Sequence, residues 1–315
     1  MCNNLHGKKV AFALRFVFLV FIYLVVLPSS ISATTTTFTT GSDWDSGTKT
    51  EVDTSVLEGD VYLKASGSHG ARNWKTPDLP ISIGSAFASD GTNIYVTRGL
   101  ADSLFWKYSP ASDTWTELAP MPRGTYYGAD LEYLNGYIYA VFGGYQTAFA
   151  RYSIATNTWE DLTEISELTE RGASLASDGT NIYALRGNNS QDFFKYTPAT
   201  DSWSILAAAP ATIGLGADLV YDDGYLYTPR GINTTTMYRY SISGNTWSTM
   251  TVLPAAVTDH TDITTDGEKI YVARQNNTNT VYAYTIATNT WSTLTVAPGL
   301  MRYAGMVYNS SDGYV

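Results

Sequence analysis

Four arginines recur at one position of a repeated segment, and their guanidinium groups are well suited to binding a ligand. Each follows a tyrosine by three residues. The four are Arg98, Arg186, Arg230 and Arg274. A planar guanidinium presents a fork of donors that matches a carboxylate or a phosphate. The spacing predicts a ring of anion-binding groups. The alternative is that each arginine bonds to carbonyls, an aspartate or an aromatic ring within the fold.

Three further polar residues belong to segments that we expect on the same face as these arginines. If neighbouring segments are antiparallel strands, the end of the second strand and the start of the first meet on one face of each unit. Arg171, Asp259 and His260 then lie near the four arginines. The predicted binding set is therefore Arg98, Arg186, Arg230, Arg274, Arg171, Asp259 and His260.

A second polar column consists of Asp130, Asp218 and Asp262, each nine residues before a repeated tyrosine. This position falls on the first strand of its unit, so we expect the three carboxylates to line a central channel. They could bind an ion, or they could bond to water and backbone. Because no glycine-rich ligand loop accompanies them, the calcium interpretation is the weaker one.

The sequence offers little for metal or nucleophilic catalysis. It contains three histidines and one cysteine, Cys2, and no His-x-x-x-His or Gly-x-Ser-x-Gly motif. Cys2 precedes an apolar run that we expect to be removed, so the mature chain has no disulfide and no thiol chemistry. We expect no metal, no cofactor and no identifiable catalytic set, which makes an enzyme the less favoured class.

Four Asn-x-Ser/Thr sequons are candidates for glycosylation on an exported surface. They begin at Asn188, Asn233, Asn276 and Asn309. Three of them occupy nearly the same place in successive units, on the face of the arginines. Two other interpretations stay open: the loop asparagines serve turn geometry, or they form a polar binding rim.

These groups are positioned by a repeat of 44 residues that is visible in three aromatic columns. Five tryptophans keep the interval: Trp115, Trp159, Trp203, Trp247 and Trp291. Tyrosines stand seven and twenty residues before every one of them. Each unit holds four short apolar stretches separated by turn residues, with Asp-Gly or Asn-Gly between the first two. A repeat of four-stranded units of this length predicts an all-β propeller in which large aromatics pack between neighbouring blades.

The repeat resembles the kelch motif. The resemblance is carried by Tyr139 and the double glycine Gly143-Gly144, by Tyr152 and Trp159, and by the segment 118–122. It covers residues from about 82 to the end and implies a kelch-type β-propeller. Because some exported six-bladed kelch proteins are sialic-acid mutarotases, it also implies an acidic sugar as a substrate class. The other units lack the double glycine, so the kelch resemblance is a better guide to the fold of this chain than to its function.

The expected blade count depends on the two ends of the repeat. Five full units run over 82–298, and 301–315 resembles the start of a sixth. Within a propeller spanning 59–315, strand-like residues 59–76 could complete that blade and close the ring, which removes exposed edges. We therefore expect six blades. The alternative is that the sequence is a fragment that stops within a blade.

Residues 1–33 have the pattern of a signal peptide, because Lys8-Lys9 precede an apolar run that ends in small residues. Residues 34–58, rich in Thr, Ser and Asp, are expected to form a linker. The formal net charge is −10, and loss of the leader makes it more negative. We therefore expect a secreted or cell-surface protein with no membrane span after cleavage and no nucleic-acid partner.

Two classes of function fit these features. The first is an extracellular recognition or scaffolding propeller that binds a protein or glycan partner through the loops of one face. The second is an exported mutarotase-like enzyme acting on an acidic sugar, since such chemistry needs only positioned acid-base and carboxylate-binding groups. The absence of a distinctive acid-base pair favours the first. The sequence makes no prediction of the oligomeric state.

Overall fold

Twenty short strands form five antiparallel sheets in the computed structural model, which describes residues 82–258, 261–274, 278, 280–294 and 305–308. Blade one comprises β1 Phe87–Ser89, β2 Ile94–Thr97, β3 Phe105–Ser109 and β4 Thr114–Glu117. Blade two comprises β5 Ala129–Leu134, β6 Tyr137–Phe142, β7 Phe149–Ser153 and β8 Thr158–Asp161. Blade three comprises β9 Ser174–Ser177, β10 Ile182–Leu185, β11 Phe193–Thr197 and β12 Ser202–Ile205. Blade four comprises β13 Val220–Asp222, β14 Tyr225–Pro229, β15 Met237–Ser241 and β16 Thr246–Thr249. Blade five comprises β17 Asp262–Thr265, β18 Lys269–Arg274, β19 Thr280–Thr285 and β20 Thr290–Thr293.

The architecture is the predicted all-β propeller of four-stranded blades. Strands follow chain order within every sheet, and the inner strands β1, β5, β9, β13 and β17 contact one another in succession. A short 3-10 turn, Ile286–Thr288, is the one helical element of the described ranges. No helix within those ranges has the length and apolar character that crossing a membrane requires.

The predicted count of six blades is wrong, since the described residues form five. The leader 1–33, the linker 34–58 and the segment 59–76 lie outside the described residues, and of 301–315 only 305–308 are described, without a strand. Two side chains of blade five hold this short segment. Met306 N–H donates to the Asp262 carboxylate at 2.8 Å, and Tyr308 N–H donates to the Thr264 hydroxyl at 3.1 Å. Asp218 makes the same bond to Ile263 of the next blade, so residues 305–308 contact blade five as the first strand of one blade contacts the blade before it.

Asp-Gly and Asn-Gly dipeptides make the turn between the first two strands of each blade, as the sequence predicted. In blade two both turn residues have left-handed backbone, with φ of 51° at Asn135 and 85° at Gly136, which matches the twist of a hairpin. In blade three the carboxylate of Asp178 accepts the N–H groups of Thr180 and Asn181 and the hydroxyl of Tyr183. The turn thus fixes the start of the second strand.

Aromatic rings hold adjacent blades together. Phe193 of blade three is fully buried, and its ring centroid lies 4.9 Å from that of Tyr240 and 5.0 Å from that of Trp247 in blade four. The indole N–H of Trp247 reaches back to the carbonyl of Ala207 at 2.8 Å. The same indole bond, to a carbonyl 40 residues earlier, is made by Trp159, Trp203 and Trp291. Each of these aromatic contacts between blades therefore combines apolar packing with one hydrogen bond from the indole N–H.

Four glycines spaced by 44 residues allow the blades to meet around the central channel. Gly84, Gly128, Gly172 and Gly216 have φ values between 76° and 83°. A Cβ on any of them would overlap backbone atoms of the next blade's entry segment, at Tyr126, Glu170, Gly214 and Thr258 respectively. Glycine is needed both for its positive φ and for the close backbone approach.

We expect Gly172→Ala to lower the free energy of unfolding by about 2–3 kcal/mol, because it adds a backbone overlap to left-handed strain. Gly179→Ala is the matched control: φ is 84° there too, but nothing lies within 4 Å of the added carbon, so the expected loss is about 1 kcal/mol. Urea unfolding of both variants measures the difference. Equal losses would show that the close approach at Gly172 is unimportant.

Candidate functional site

Two adjoining cavities open where the first strands begin. A narrow one of about 150 Å³, the axial cavity, is lined by residues of all five blades and by Met306. A wider one of about 590 Å³, the loop-face cavity, lies beside it. Seven residues line the loop-face cavity: Tyr127, Tyr145, Glu170, Arg171, Asn188, Asn189 and Leu215. Tyr127, Arg171 and Leu215 also line the axial cavity, so the two spaces share a wall.

Arg171 is the cation of the loop-face cavity. Its guanidinium carbon lies over the Tyr127 ring of blade two, 3.9 Å from the ring centroid, which is within the range of a cation–π contact. Its Nε lies 3.7 Å from Oε1 of Glu170, which is close enough for attraction and too long for a hydrogen bond. The side chain is 42% exposed. Among the described residues it donates no hydrogen bond, and it lines both cavities.

The rim of the cavity is built from two loops in left-handed conformation. Asn188 and Asn189 have φ values of 52° and 54°, and Asn188 N–H donates to the Arg171 carbonyl at 3.0 Å. Tyr145 has φ of 62°, its N–H donates to the Thr169 carbonyl, and the residue is 59% exposed. Asparagine tolerates this backbone well. The rim thus presents one exposed phenol and two amides at fixed positions.

The four arginines of the repeated column have partners within the protein. Three of them donate from Nε to a carbonyl 18 residues earlier: Arg186 to Leu168, Arg230 to Thr212 and Arg274 to Ala256. Arg98 pairs with Asp102 at 2.7 Å. The three bonds to carbonyls tie the entry segment of a blade to the end of its second strand. None of the four lines the loop-face cavity, and a ligand-binding role for them stays a prediction.

The remaining predicted residues divide between the cavity and the part of the chain outside the described ranges. Arg171 lies in the loop-face cavity, and Asn188 lines it. Asn233, which follows the cavity residue Asn189 by 44 residues, lies in the corresponding loop of blade four, with φ of 54°. Asp259, His260, Asn276 and Asn309 lie outside the described residues. Glycosylation of any of the four asparagines stays a prediction.

The aspartate column borders the axial cavity and is hydrogen-bonded around the ring. Ser174 stands between two of its members, with its Oγ 2.9 Å from Asp130 Oδ2 and 2.6 Å from Asp218 Oδ1. Ile263 N–H donates to Asp218, and Met306 N–H donates to Asp262. One hydroxyl hydrogen cannot serve two carboxylates at once, so this spacing favours a shared proton.

Burial and mutual repulsion raise the affinity of these carboxyls for protons. Burial, and next the charge of Asp218, raise the pKa of Asp130 to about 8. Burial also raises the pKa of Asp218, and burial together with the charge of Asp218 raises that of Asp262. Within the described residues, no cluster of three or more histidine, cysteine, aspartate or glutamate side chains is arranged to hold a metal ion. The column is a hydrogen-bonded network whose carboxyls hold protons more tightly than exposed aspartates do.

Sequence reasoning missed most of the cavity lining, namely Tyr127, Tyr145, Glu170, Asn189 and Leu215. A signal was present in the repeat: Tyr127, Arg171 and Leu215 are equivalent positions 44 residues apart, as are Tyr145 and Asn189. Tyr127, Arg171 and Leu215 differ in type from blade to blade, whereas the repeated tryptophans and tyrosines keep one type. Variation inside a strict repeat was therefore the available indicator of the site.

Comparison with known proteins supports the fold. No protein-family model matches the chain, and no curated protein matches it. Among solved structures, 1264 chains match. One is the structure of YjhT, of propeller type, with a TM-score of 0.61, 14% sequence identity, and coverage of 73% of this chain and 88% of that one. At this identity the similarity shows the fold alone. The chain is a β-propeller protein, and its kelch-type membership stays a prediction.

Proposed function

We propose that the protein is an exported recognition module that binds an acidic glycan in the loop-face cavity. The observation that carries the proposal is Arg171, whose guanidinium lies over the Tyr127 ring at the cavity wall and makes no hydrogen bond within the described residues. A guanidinium that already contacts an aromatic ring loses less freedom when it binds a carboxylate than a fully solvated one does. The carboxylate of an acidic sugar can accept hydrogen bonds from the Arg171 guanidinium.

The shape and lining of the cavity favour a sugar over a protein partner. Its volume of about 590 Å³ lies within the range of about 300–1,000 Å³ usual for small-ligand sites. A protein partner ordinarily covers about 800 Å² of a broad surface, whereas this site is concave. Aromatic faces, such as that of Tyr145, suit the apolar face of a sugar ring, and the amides of Asn188 and Asn189 suit its hydroxyls.

Mutarotase-like catalysis is the second candidate, and one observation favours it. Glu170 lies beside Arg171 in the same cavity, which supplies an acid-base group next to a carboxylate-binding group. Exchange between the anomers of a free acidic sugar needs such a pair. A nuclear magnetic resonance measurement of anomer exchange in sialic acid separates the candidates. Exchange no faster than in buffer rejects the enzyme and leaves the recognition module.

Arg171→Ala is expected to weaken binding of glucuronate, galacturonate or sialic acid by about 10-fold to 100-fold, because it removes charge-assisted hydrogen bonds worth about 1.5–3 kcal/mol. Isothermal titration calorimetry measures the affinities, with glucose and galactose as neutral comparisons. Arg239→Ala is the matched control. The guanidinium carbon of Arg239 lies 4.4 Å from the centroid of the Tyr225 ring, and Arg239 does not line the loop-face cavity. The proposal fails if no acidic sugar binds, or if both variants bind like wild type.

A further inference from the structure

Glu170 is a buried carboxylate whose hydrogen-bonding capacity is unused within the described residues. Its side chain is 10% exposed, and its single charged neighbour there is Arg171, at 3.7 Å from Nε. Its backbone is fixed at both ends, because its N–H donates to the Arg186 carbonyl and its carbonyl accepts from Ala173 N–H at 2.7 Å. The carboxylate is therefore held in the wall of the loop-face cavity without a donor.

Other glutamates nearby show how unusual this arrangement is. Glu160 is 60% exposed, yet it binds Arg151 at 2.8 Å. Glu164 accepts the Thr147 hydroxyl, and Glu167, half exposed, pairs with Arg186. Exposed carboxylates thus have protein partners, whereas the buried one has no hydrogen bond. Glu170 lines the loop-face cavity, so a hydroxyl donor that enters the cavity supplies the hydrogen bond that the described residues do not.

We infer that Glu170 and Arg171 together recognise a hexuronate whose hydroxyl next to the carboxylate-bearing carbon is free. Arg171 offers donors to the sugar carboxylate, and Glu170, 3.7 Å from its Nε, accepts from the neighbouring hydroxyl. In a hexuronate the 4-hydroxyl stands beside the carboxylate, so one ligand edge presents an acceptor and a donor side by side. This inference rests on the proposed function and makes Glu170 its specificity-determining residue.

The test compares glucuronate with 4-O-methylglucuronate, in which a methyl group replaces the hydrogen of that hydroxyl. Wild-type protein is expected to bind glucuronate at least about tenfold more tightly, because the methyl ether cannot donate and leaves the buried carboxylate unpaired. In Glu170→Gln the preference is expected to fall to about threefold or less, since a neutral amide is a weaker acceptor. Calorimetry on the full chain measures all four affinities.

Glu167→Gln is the matched control, because Glu167 lies outside the cavity and is half exposed; it is expected to keep the wild-type preference. Melting temperatures of both variants confirm that they are folded. Equal, Arg171-dependent binding of the two sugars would overturn the inference and leave the proposed function standing. Binding of neither sugar would overturn both. Loss of the preference in Glu167→Gln as well would also contradict a specific role for Glu170.

Discussion

The protein is expected to lose about 3–4 kcal/mol of unfolding free energy when the pH rises from about 5 to about 8. The cause is the axial network, in which burial and the charge of Asp218 raise the pKa of Asp130 to about 8. Across this interval the folded state keeps a proton that the unfolded chain has released. Stability falls with increasing pH by about 1.4 kcal/mol per unit for each such proton.

The direction follows from the raised pKa. Below the ordinary aspartate pKa both states are protonated, and the folded state carries no cost of buried charge. Above about pH 8 Asp130 is ionised in both states, and the fold must hold its charge beside the narrow axial cavity. Glu132, whose pKa burial raises as well, adds to the same loss.

Asp130→Asn tests this origin, because the amide oxygen can still accept the Leu175 N–H that Asp130 Oδ2 accepts at 2.7 Å. The pH dependence of stability, measured by urea unfolding, is expected to become shallower by up to about 1.4 kcal/mol per unit. Asp223→Asn, at an exposed turn position, is the control and should keep the wild-type slope. If Asp130→Asn shows the same pH dependence of stability as the wild-type protein, the axial network is not the origin of that dependence.

Phe193→Ala is expected to cost about 3–5 kcal/mol of unfolding free energy, enough to unfold a marginally stable protein. The ring is fully buried between blades three and four, in contact with Tyr240 and Trp247. Its removal leaves a cavity at the interface and frees both partner rings. Phe149 makes the same two contacts one blade earlier, with Tyr196 at 4.8 Å and Trp203 at 4.9 Å.

Phe193→Leu separates the aromatic contribution from the filling of space. It is expected to cost about 1–2 kcal/mol, because the edge-to-face contacts are lost while most of the volume remains. Ile205→Ala, at a side chain that is 80% exposed, should change stability by less than about 0.5 kcal/mol. Thermal unfolding followed by tryptophan fluorescence measures all three. A loss of less than about 1 kcal/mol of unfolding free energy in Phe193→Ala would show that the packing of the two blades does not depend on this aromatic contact.

The sequence was sufficient for the propeller architecture, though not for the number of blades, because the structural positions repeat. Trp203 and Trp247 occupy equivalent places, bond to equivalent carbonyls and keep one residue type. The sequence does not reveal Phe149 and Phe193 as a repeated aromatic position, because the next two blades have Met237 and Val281 there. These two residues fill the same buried position without an aromatic ring. Apolar packing accepts such changes of type, whereas the indole bond does not.

The site was harder to predict because its residues meet only in space. The sequence predicts Arg171 on the correct face, but it does not distinguish Arg171 from Arg186 and Arg230. The Nε atoms of those two arginines donate to carbonyls of their own blades. Glu170 carries no repeat signal, since equivalent positions hold Tyr126 and Gly214. Whether an arginine faces a carbonyl or a cavity depends on backbone geometry that periodicity does not contain.

A crystal structure of the protein soaked with glucuronate tests the assignment of the loop-face cavity most directly. We expect density for one sugar ring in that cavity, with its carboxylate within about 3 Å of the Arg171 guanidinium and a hydroxyl equally close to Glu170. Density at the repeated arginines or along an outer strand, with the loop-face cavity holding only water, would contradict it.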